Sequence, residues 1–194
     1  MGIDVVAHSG TKYLGGHSDI CCGAVLSSTQ LIASIRASAA NLGGSLNADS
    51  CYLLERSMQT LALRVDKQNR NAMAVAGFLQ EHGRVARVYY PGIESHDGHE
   101  IAARQMKGFG GMLSFELDET RLSPERFVRS LELITPAISL GGVETTICAP
   151  AETSHAKLSA RERADMGITD SLFRLSVGIE DVQDLIADLG QALG

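Results

Sequence analysis

The chain has 194 residues, and its 23 acidic and 17 basic residues give a formal net charge of −6. The basic residues form no cluster, so we expect neither nucleic acid nor an anionic membrane as a partner. No segment approaches the roughly 20 consecutive apolar residues of a membrane-spanning helix, and the N-terminus lacks a basic segment followed by a long apolar one. We therefore expect a cytoplasmic protein without a membrane partner.

Two strands and one helix are predicted at the start of the chain. Residues 3–7 and 20–26 are short apolar segments that predict β-strands joined by a loop, and their fully apolar character indicates a sheet covered on both faces. A helix is predicted over residues 29–40, ended by the glycines of "NLGG". Because two strands and a helix do not close a sheet, residues 1–64 are interpreted as the end of a larger α/β domain.

The rest of the chain alternates between short strands and helices. Residues 49–82 predict one long helix, or two helices with a bend between them. After it, strands are predicted over residues 85–90, 112–117, 145–148 and 171–178, and helices over residues 99–106, 124–133, 160–166 and 181–193. This order indicates a second, smaller α/β domain over residues 65–194.

The four cysteines, Cys21, Cys22, Cys51 and Cys148, show no C-x-x-C spacing. The adjacent pair lies within an apolar, strand-like segment. This pattern favours buried, reduced thiols over metal ligands, and we predict no metal site.

Lys12, in "VVAHSGTKYLGGHSD", is the first candidate functional residue. It follows an apolar segment and precedes Gly15 and Gly16, whereas a lysine that serves only solubility usually lies among charged, helix-forming residues. In an extended segment Ser9 and Thr11 would share a face, and two adjacent hydroxyls suit a phosphate. The glycines would leave room for a flat cofactor.

A lysine amine becomes a nucleophile toward an aldehyde when it is desolvated or lies near other cations. An aldehyde that carries a phosphate and binds lysine as a Schiff base is pyridoxal 5′-phosphate (PLP). The pattern around Lys12 therefore indicates PLP. The alternative is a surface lysine beside a turn.

Arg174 is the second candidate, because it interrupts the apolar strand pattern of "LFRLSVGIED". Its planar guanidinium would bind a carboxylate by two parallel hydrogen bonds. The alternative is a structural ion pair with one of the acidic residues. Ser139, in "SLGGVE", is the third candidate, since glycines beside a hydroxyl expose backbone to a ligand; that motif alone is also consistent with a tight turn.

Four ordered motifs, "HSGTKYLGGHSD", "GHEIAARQMKGFGGMLSFEL", "SLGGVET" and "RLSVGIEDVQDLIADL", resemble the PLP-dependent enzymes of cysteine and methionine metabolism. Members of that family include cystathionine γ-synthase, cystathionine γ- and β-lyases, methionine γ-lyase and O-acetylhomoserine sulfhydrylase. The resemblance covers essentially the whole chain. It implies the C-terminal part of a fold-type I (aspartate aminotransferase-like) PLP enzyme: the end of the large cofactor domain over residues 1–64 and the small α/β domain over residues 65–194.

The resemblance also implies roles for the candidate residues. Lys12 would form the Schiff base with PLP and shuttle protons, and Ser9 and Thr11 would hold the cofactor phosphate. Ser139 and Arg174 would bind the α-carboxylate of an amino-acid substrate. The implied reaction is elimination or replacement of a sulfur or oxygen leaving group, in a homotetramer.

Family members are much longer than this chain, so we expect a fragment with little or no catalysis by itself. Among the family's reactions, the resemblance is best matched by a cystathionine or methionine γ-lyase-like enzyme. Several cystathionine γ-synthases and γ-lyases carry a glutamate at the position of Ile138, whereas methionine γ-lyases carry an apolar residue there. Ile138 therefore favours a lyase that acts on methionine-like or mixed thioether substrates. The alternatives are a synthase- or sulfhydrylase-like transferase and a non-catalytic module that partners a full-length paralogue. Retention of the candidate residues argues against the last of these.

Overall fold

The computed structural model describes residues 2–194. It divides into two compact units, the first ending at Ala62 and the second spanning Leu63–Gly194. The units are described separately below.

The first unit contains a two-stranded antiparallel sheet of β1 (Val5–Ser9) and β2 (Gly23–Ser27). The register pairs Val5 with Ser27 and Ser9 with Gly23. The strands were predicted as covered on both faces, but this is wrong for the chain itself: every β1 side chain is exposed, and Leu26 of β2 is 55% exposed. The apolar residues of this sheet therefore have no cover within the first unit.

The helix α1 (Thr29–Leu42) follows β2. The Ser28 side chain caps its N-terminus, and Gly43 ends it in the left-handed conformation with φ of 78°. This confirms the predicted helix and its glycine stop signal, although the helix extends two residues further than expected.

Two helices, α2 (Ala48–Met58) and α3 (Leu61–Glu81), follow, so the alternative of two helices rather than one is confirmed. The Asn47 side chain caps α2 by accepting from the Ser50 backbone N–H at 2.8 Å. The buried face of α3 is polar near its start, at Arg64, Gln68 and Asn71, and apolar further along.

The second unit contains a five-stranded mixed sheet. Its strands are β3 (Val85–Tyr89), β4 (Met112–Leu117), β5 (Thr135–Pro136), β6 (Thr146–Cys148) and β7 (Leu172–Ser176). The spatial order is β3-β4-β7-β6-β5; all neighbours are antiparallel except β5 and β6. The predicted α/β class is confirmed, and β5 is the strand that the sequence did not reveal.

Four helices complete this unit: α4 (His99–Gln105), α5 (Pro124–Ser130), α6 (Ala160–Asp165) and α7 (Val182–Leu193). Hydroxyl or carboxylate caps begin three of them: Ser123 for α5, Ser159 with Glu162 for α6, and Asp181 for α7. None of the helices in residues 2–194 combines the length and apolar character that crossing a membrane requires.

The core of the second unit lies on one face of the sheet. Phe115 of β4, Phe173 of β7 and Phe127 of α5 form a three-ring cluster with centroids 5.3–5.9 Å apart, and all three are essentially fully buried. Apolar side chains of α3 and α7 belong to the same core. Because side chains alternate along a strand, Arg174 and Ser176 point to the opposite face.

Candidate functional site

Lys12 lies in a turn, Gly10–Leu14, which we call the lysine turn, and its own backbone departs from helical geometry with φ of −92° and ψ of −124°. The turn is closed by the Gly15 N–H donating to the Gly10 carbonyl at 2.8 Å and the Gly16 N–H donating to the Lys12 carbonyl at 2.7 Å. The Lys12 side chain is half-buried, and its amine has no hydrogen bond or ion pair with any residue in the described part of the chain. The amine is therefore available to a ligand.

The glycines around Lys12 have a structural role in the turn itself. A Cβ on Gly15 would lie 2.9 Å from the Gly10 carbonyl oxygen and 3.0 Å from the Ile20 side chain. A Cβ on Gly10 would collide with Cys22 Sγ. Gly16 has φ of 72°, a left-handed conformation that favours glycine.

The structure also corrects the expected conformation of the two hydroxyl residues. Ser9 ends β1, but Thr11 lies inside the lysine turn, so the pair does not share one extended segment. The Thr11 hydroxyl donates to the Cys22 carbonyl at 3.2 Å and accepts from the Cys22 N–H at 2.9 Å. Ser9 is exposed, and its hydroxyl has no partner within residues 2–194. Thr11 thus ties the lysine turn to the segment before β2.

His17 supports the same segment. Its Nδ1 lies 2.7 Å from the Gly15 carbonyl oxygen and 3.4 Å from Ser57 Oγ of α2. These contacts connect the end of the lysine turn to α2 within the first unit.

The cysteines are all free thiols, but the prediction that they are buried is wrong for Cys21 and Cys51, which are exposed. Cys148 is buried, and Cys22 is intermediate. Burial, together with the nearby Cys21 and Cys51, raises the pKa of the Cys22 thiol. No group of three or more potential metal ligands occurs in the described residues.

In the second unit, residues 138–142 form a loop, here called the glycine-pair loop, that meets Arg174. Arg174 Nη2 donates to the carbonyl oxygens of Ile138, at 2.7 Å, and Ser139, at 3.2 Å. The Thr146 hydroxyl also donates to the Ser139 carbonyl, at 3.0 Å. The structure therefore brings the two predicted carboxylate-binding residues, Ser139 and Arg174, into contact through the backbone of Ser139.

Arg174 retains unused donors. Its Nε is buried and has no hydrogen-bond partner in residues 2–194, and no hydrogen bond is made by Nη1 there. None of the ion pairs among these residues involves Arg174, so the alternative of a structural ion pair is wrong. A buried guanidinium N–H without an acceptor is costly, and a carboxylate would satisfy it.

Two residues that the sequence analysis did not single out hold the glycine-pair loop. The Ser176 hydroxyl accepts from the Gly141 N–H at 2.8 Å, and Gln68 Nε2 donates to the Gly142 carbonyl at 2.7 Å. The sequence signal for Gln68 is its spacing, three residues after Val65 and four before Ala72, which places a polar side chain on an apolar side of the helix. Ser176 follows Arg174 by two residues in the same predicted strand, so both side chains are expected on the same face of the sheet.

Glu180 has a structural role. Its carboxylate accepts from the backbone N–H of Thr145 at 2.5 Å and from the Thr145 hydroxyl at 2.8 Å. The same Thr145 hydroxyl accepts from the Gly178 N–H at 2.8 Å. These bonds give Glu180 a role in holding the turn that follows β7.

The family described as Cys/Met metabolism PLP-dependent enzyme matches residues 1–194. The chain belongs to this family. Within the family it is similar to cystathionine γ-synthase 1, chloroplastic, of Nicotiana tabacum, with 46% identity over 193 residues that cover 100% of this chain and 36% of the relative. It is equally similar to cystathionine γ-lyase of Bacillus subtilis (strain 168), with 46% identity over 195 residues that cover 100% of this chain and 51% of the relative.

Comparison with a solved structure shows that the chain also has the fold of this family. Cystathionine γ-synthase from Xanthomonas oryzae pv. oryzae, in complex with cystathionine, matches with a TM-score of 0.93 and 44% identity, covering 99% of this chain and 50% of that chain. The predicted family and fold are thus confirmed. The chain spans about half or less of the length of these relatives.

The residues present fit the family's cofactor. The Lys12 amine and the Ser9 hydroxyl are without partners in the described residues, as an aldehyde and a phosphate would require. The Thr11 hydroxyl, in contrast, would have to release the Cys22 carbonyl in order to donate to a phosphate.

Proposed function

We propose that the chain is part of a PLP-dependent trans-sulfuration enzyme that acts on sulfur amino acids by elimination or replacement. The observation that carries this proposal is the state of Arg174. Its guanidinium is oriented by two backbone carbonyls, has no acidic partner in residues 2–194, and keeps a buried Nε without an acceptor. A free α-carboxylate is the ligand that fits these donors.

In this proposal Arg174 and Ser139 hold the substrate by its carboxylate. The Ser139 hydroxyl has no partner in the described residues, so it remains free to donate to the ligand. Two anchored carbonyl contacts fix the plane of the Arg174 guanidinium before the substrate arrives. Such preorganisation reduces the entropy lost on binding.

Lys12 supplies the amine that holds the cofactor and moves protons at Nζ. When bound, PLP would withdraw electrons from the substrate α-carbon and so make its proton removable. Ser9 would donate to the cofactor phosphate, together with Thr11 once that hydroxyl turns from Cys22. The half-buried position of Lys12 limits the water around its amine.

Within this function, we favour a γ-lyase-like reaction on a thioether amino acid. Ile138 lines a cavity of about 200 Å³ together with apolar side chains that include Pro136, Ala137 and Cys148, and Glu152 and Thr153 add polar groups to the lining. Cys148 is the cross-strand partner of Arg174, so the cavity lies beside the proposed carboxylate site. The apolar part of this lining, which includes Ile138, suits the hydrocarbon and thioether part of a substrate side chain.

For the complete enzyme we infer a homotetramer in a compartment that keeps thiols reduced, such as the cytoplasm. The four free cysteines support the compartment. The exposed apolar side chains of β1 and β2 support a covered position for this sheet in an assembly.

The proposal is tested by mixing the purified chain with PLP, reducing the adduct with borohydride and mapping the labelled lysine by mass spectrometry. Lys12 should carry the label in large excess, and Lys12→Ala should abolish both the label and the associated visible absorption band. Lys107→Ala, which removes an exposed lysine, is the control and should change neither. Labelling spread evenly over the surface lysines would contradict the role of Lys12.

A further inference from the structure

The glycine-pair loop is held from two sides by residues of different elements. From β7, Ser176 Oγ accepts from the Gly141 N–H at 2.8 Å. From α3, Gln68 Nε2 donates to the Gly142 carbonyl at 2.7 Å. Both side chains are buried, with exposed fractions of 1% for Ser176 and 0% for Gln68. Two peptide groups of the loop, one on each side of the Gly141–Gly142 peptide, are thus fixed by two independent hydrogen bonds.

These contacts bear directly on Arg174. The Ile138 and Ser139 carbonyls that orient its guanidinium lie in the same loop, three and two residues before Gly141. Gly141 itself has φ of 76°, so the loop turns sharply at the residue that Ser176 holds. A loop that moved at Gly141 would move the carbonyls that aim Arg174.

A contribution to the stability of the fold does not explain why residue 68 is a glutamine. Its Oε1 is buried without a hydrogen-bond partner in residues 2–194, while its Nε2 holds Gly142. An unsatisfied buried acceptor destabilises the folded state, and an apolar side chain of the same shape would avoid that cost. The useful part of Gln68 is therefore the single bond that fixes the loop.

We propose that Gln68 and Ser176 are positioning residues that hold the glycine-pair loop in the conformation in which Arg174 and Ser139 bind a substrate carboxylate. This inference rests on the proposed function, because it assumes that Arg174 binds a carboxylate. It adds two residues that touch neither substrate nor cofactor and that act through residues 138–142.

The test uses the full, isotope-labelled chain and two variants, Gln68→Met and Ser176→Ala. Hydrogen exchange of the Gly141 amide reports the order of the loop, and the NMR signal of the Arg174 Nε–H reports carboxylate binding. Sodium propionate is the probe, because it carries a carboxylate and no amine. Each variant has a matched control. Gln80→Met makes the first change at an exposed position of the same helix, α3. Ser114→Ala makes the second change on the same face of the sheet, at the residue of β4 directly across from Arg174.

In both variants we expect Gly141 exchange to accelerate and the propionate concentration at half-saturation to rise by about fivefold, the effect of one lost hydrogen bond. Gln80→Met and Ser114→Ala should leave both readouts near the unsubstituted values. The melting temperature of Gln68→Met should be unchanged or higher, since the orphaned acceptor is gone. A purely structural role would instead lower the melting temperature and accelerate exchange throughout the core.

The inference is overturned if Gln68→Met matches its control in both Gly141 exchange and propionate affinity. Should Ser176→Ala fail to fold, Gln68→Met still decides the matter. A different result separates the two proposals: if propionate leaves the Arg174 Nε–H signal of the unsubstituted chain unmoved, the carboxylate role of Arg174 fails. Gly141 exchange then still shows whether Gln68 orders the loop.

Discussion

Asp188 is a buried carboxylate on α7 that binds three consecutive backbone N–H groups. It accepts from Glu132 at 2.8 Å, Leu133 at 3.0 Å and Ile134 at 2.8 Å, and also from the Gln191 side chain at 3.0 Å. Burial raises the pKa of the Asp188 carboxyl, but these hydrogen bonds outweigh it and hold the pKa below its usual value. The charged form therefore stabilises the fold.

Asp188→Asn should lower the free energy of unfolding at neutral pH by about 1–3 kcal/mol, because the amide loses one acceptor and turns a donor toward backbone N–H groups. Since the folded pKa is depressed, the contribution of Asp188 is present above the unfolded pKa of about 4 and is lost as pH falls through the folded pKa. Urea unfolding at pH 7 and pH 3 should show a difference that shrinks at pH 3. Asp184→Asn, an exposed change on the same helix, serves as the control; equal losses for both variants would contradict the role of Asp188.

At the scale of single residues, side chains that break a sequence pattern could be identified from the sequence. Contacts made through backbone atoms could not. Arg174 was identifiable because a charge interrupts an apolar strand. Its contacts with Ile138 and Ser139 involve carbonyl oxygens, which leave no mark in residue type. The roles of Ser9, Thr11 and Lys12 in cofactor binding stay predictions, and the Thr11 bond to Cys22 arises from a turn that the spacing of hydroxyls did not indicate.

At the scale of elements, we expect substitution by alanine to have opposite effects on the free energy of unfolding at two glycines. Gly77 lies in the interior of α3, and a Cβ there would meet nothing within 4 Å. Gly77→Ala should raise the free energy of unfolding by about 0.5–1 kcal/mol, because alanine loses less backbone entropy on folding. At Gly178, a Cβ would collide with the Val143 carbonyl oxygen and lie 2.7 Å from the Glu144 carbonyl carbon.

Gly178→Ala should therefore lower the free energy of unfolding by about 1–3 kcal/mol, because backbone must shift to admit the methyl group. Thermal and urea unfolding of the two variants measured side by side provide the check. Equal effects of one sign would show that the close approach of the segment after β7 to the segment before β6 does not restrict residue 178.

Helices with clear caps were predicted well, whereas ends set by distant residues were not. Gly43 ends α1 as predicted, since its signal lies in adjacent residues. The helix α5 was predicted to continue to residue 133 but ends at Ser130, because Asp188 takes the N–H groups of the next residues. The strand β5 was missed because it has two residues, one of them Pro136.

At the scale of the whole molecule, a continuous hydrophobic core covers one face of the sheet in the second unit, as the alternation of strands and helices predicted. The two-stranded sheet of the first unit has no such cover among the described residues of that unit, and its apolar side chains are exposed. Apolar segments predicted β1 and β2 correctly in type, but sequence pattern alone does not state whether the covering residues lie within the same chain. The relatives, of which the chain spans about half or less, carry further residues.

The exposed sheet predicts self-association of the chain. Val6 and Leu26 are direct cross-strand partners, 41% and 55% exposed, and therefore form an apolar pair on one face of a sheet with only two strands. Each strand also leaves one edge unpaired, which favours edge-to-edge contact between copies. Leu26→Lys should reduce association, measured by light scattering over a concentration series, while changing the free energy of unfolding by less than about 0.5 kcal/mol. Leu63→Lys, at an exposed position of α3, should leave the scattering unchanged. A stable monomer at every concentration of the unsubstituted chain would contradict the prediction, since the apolar pair would then be tolerated in water without a partner.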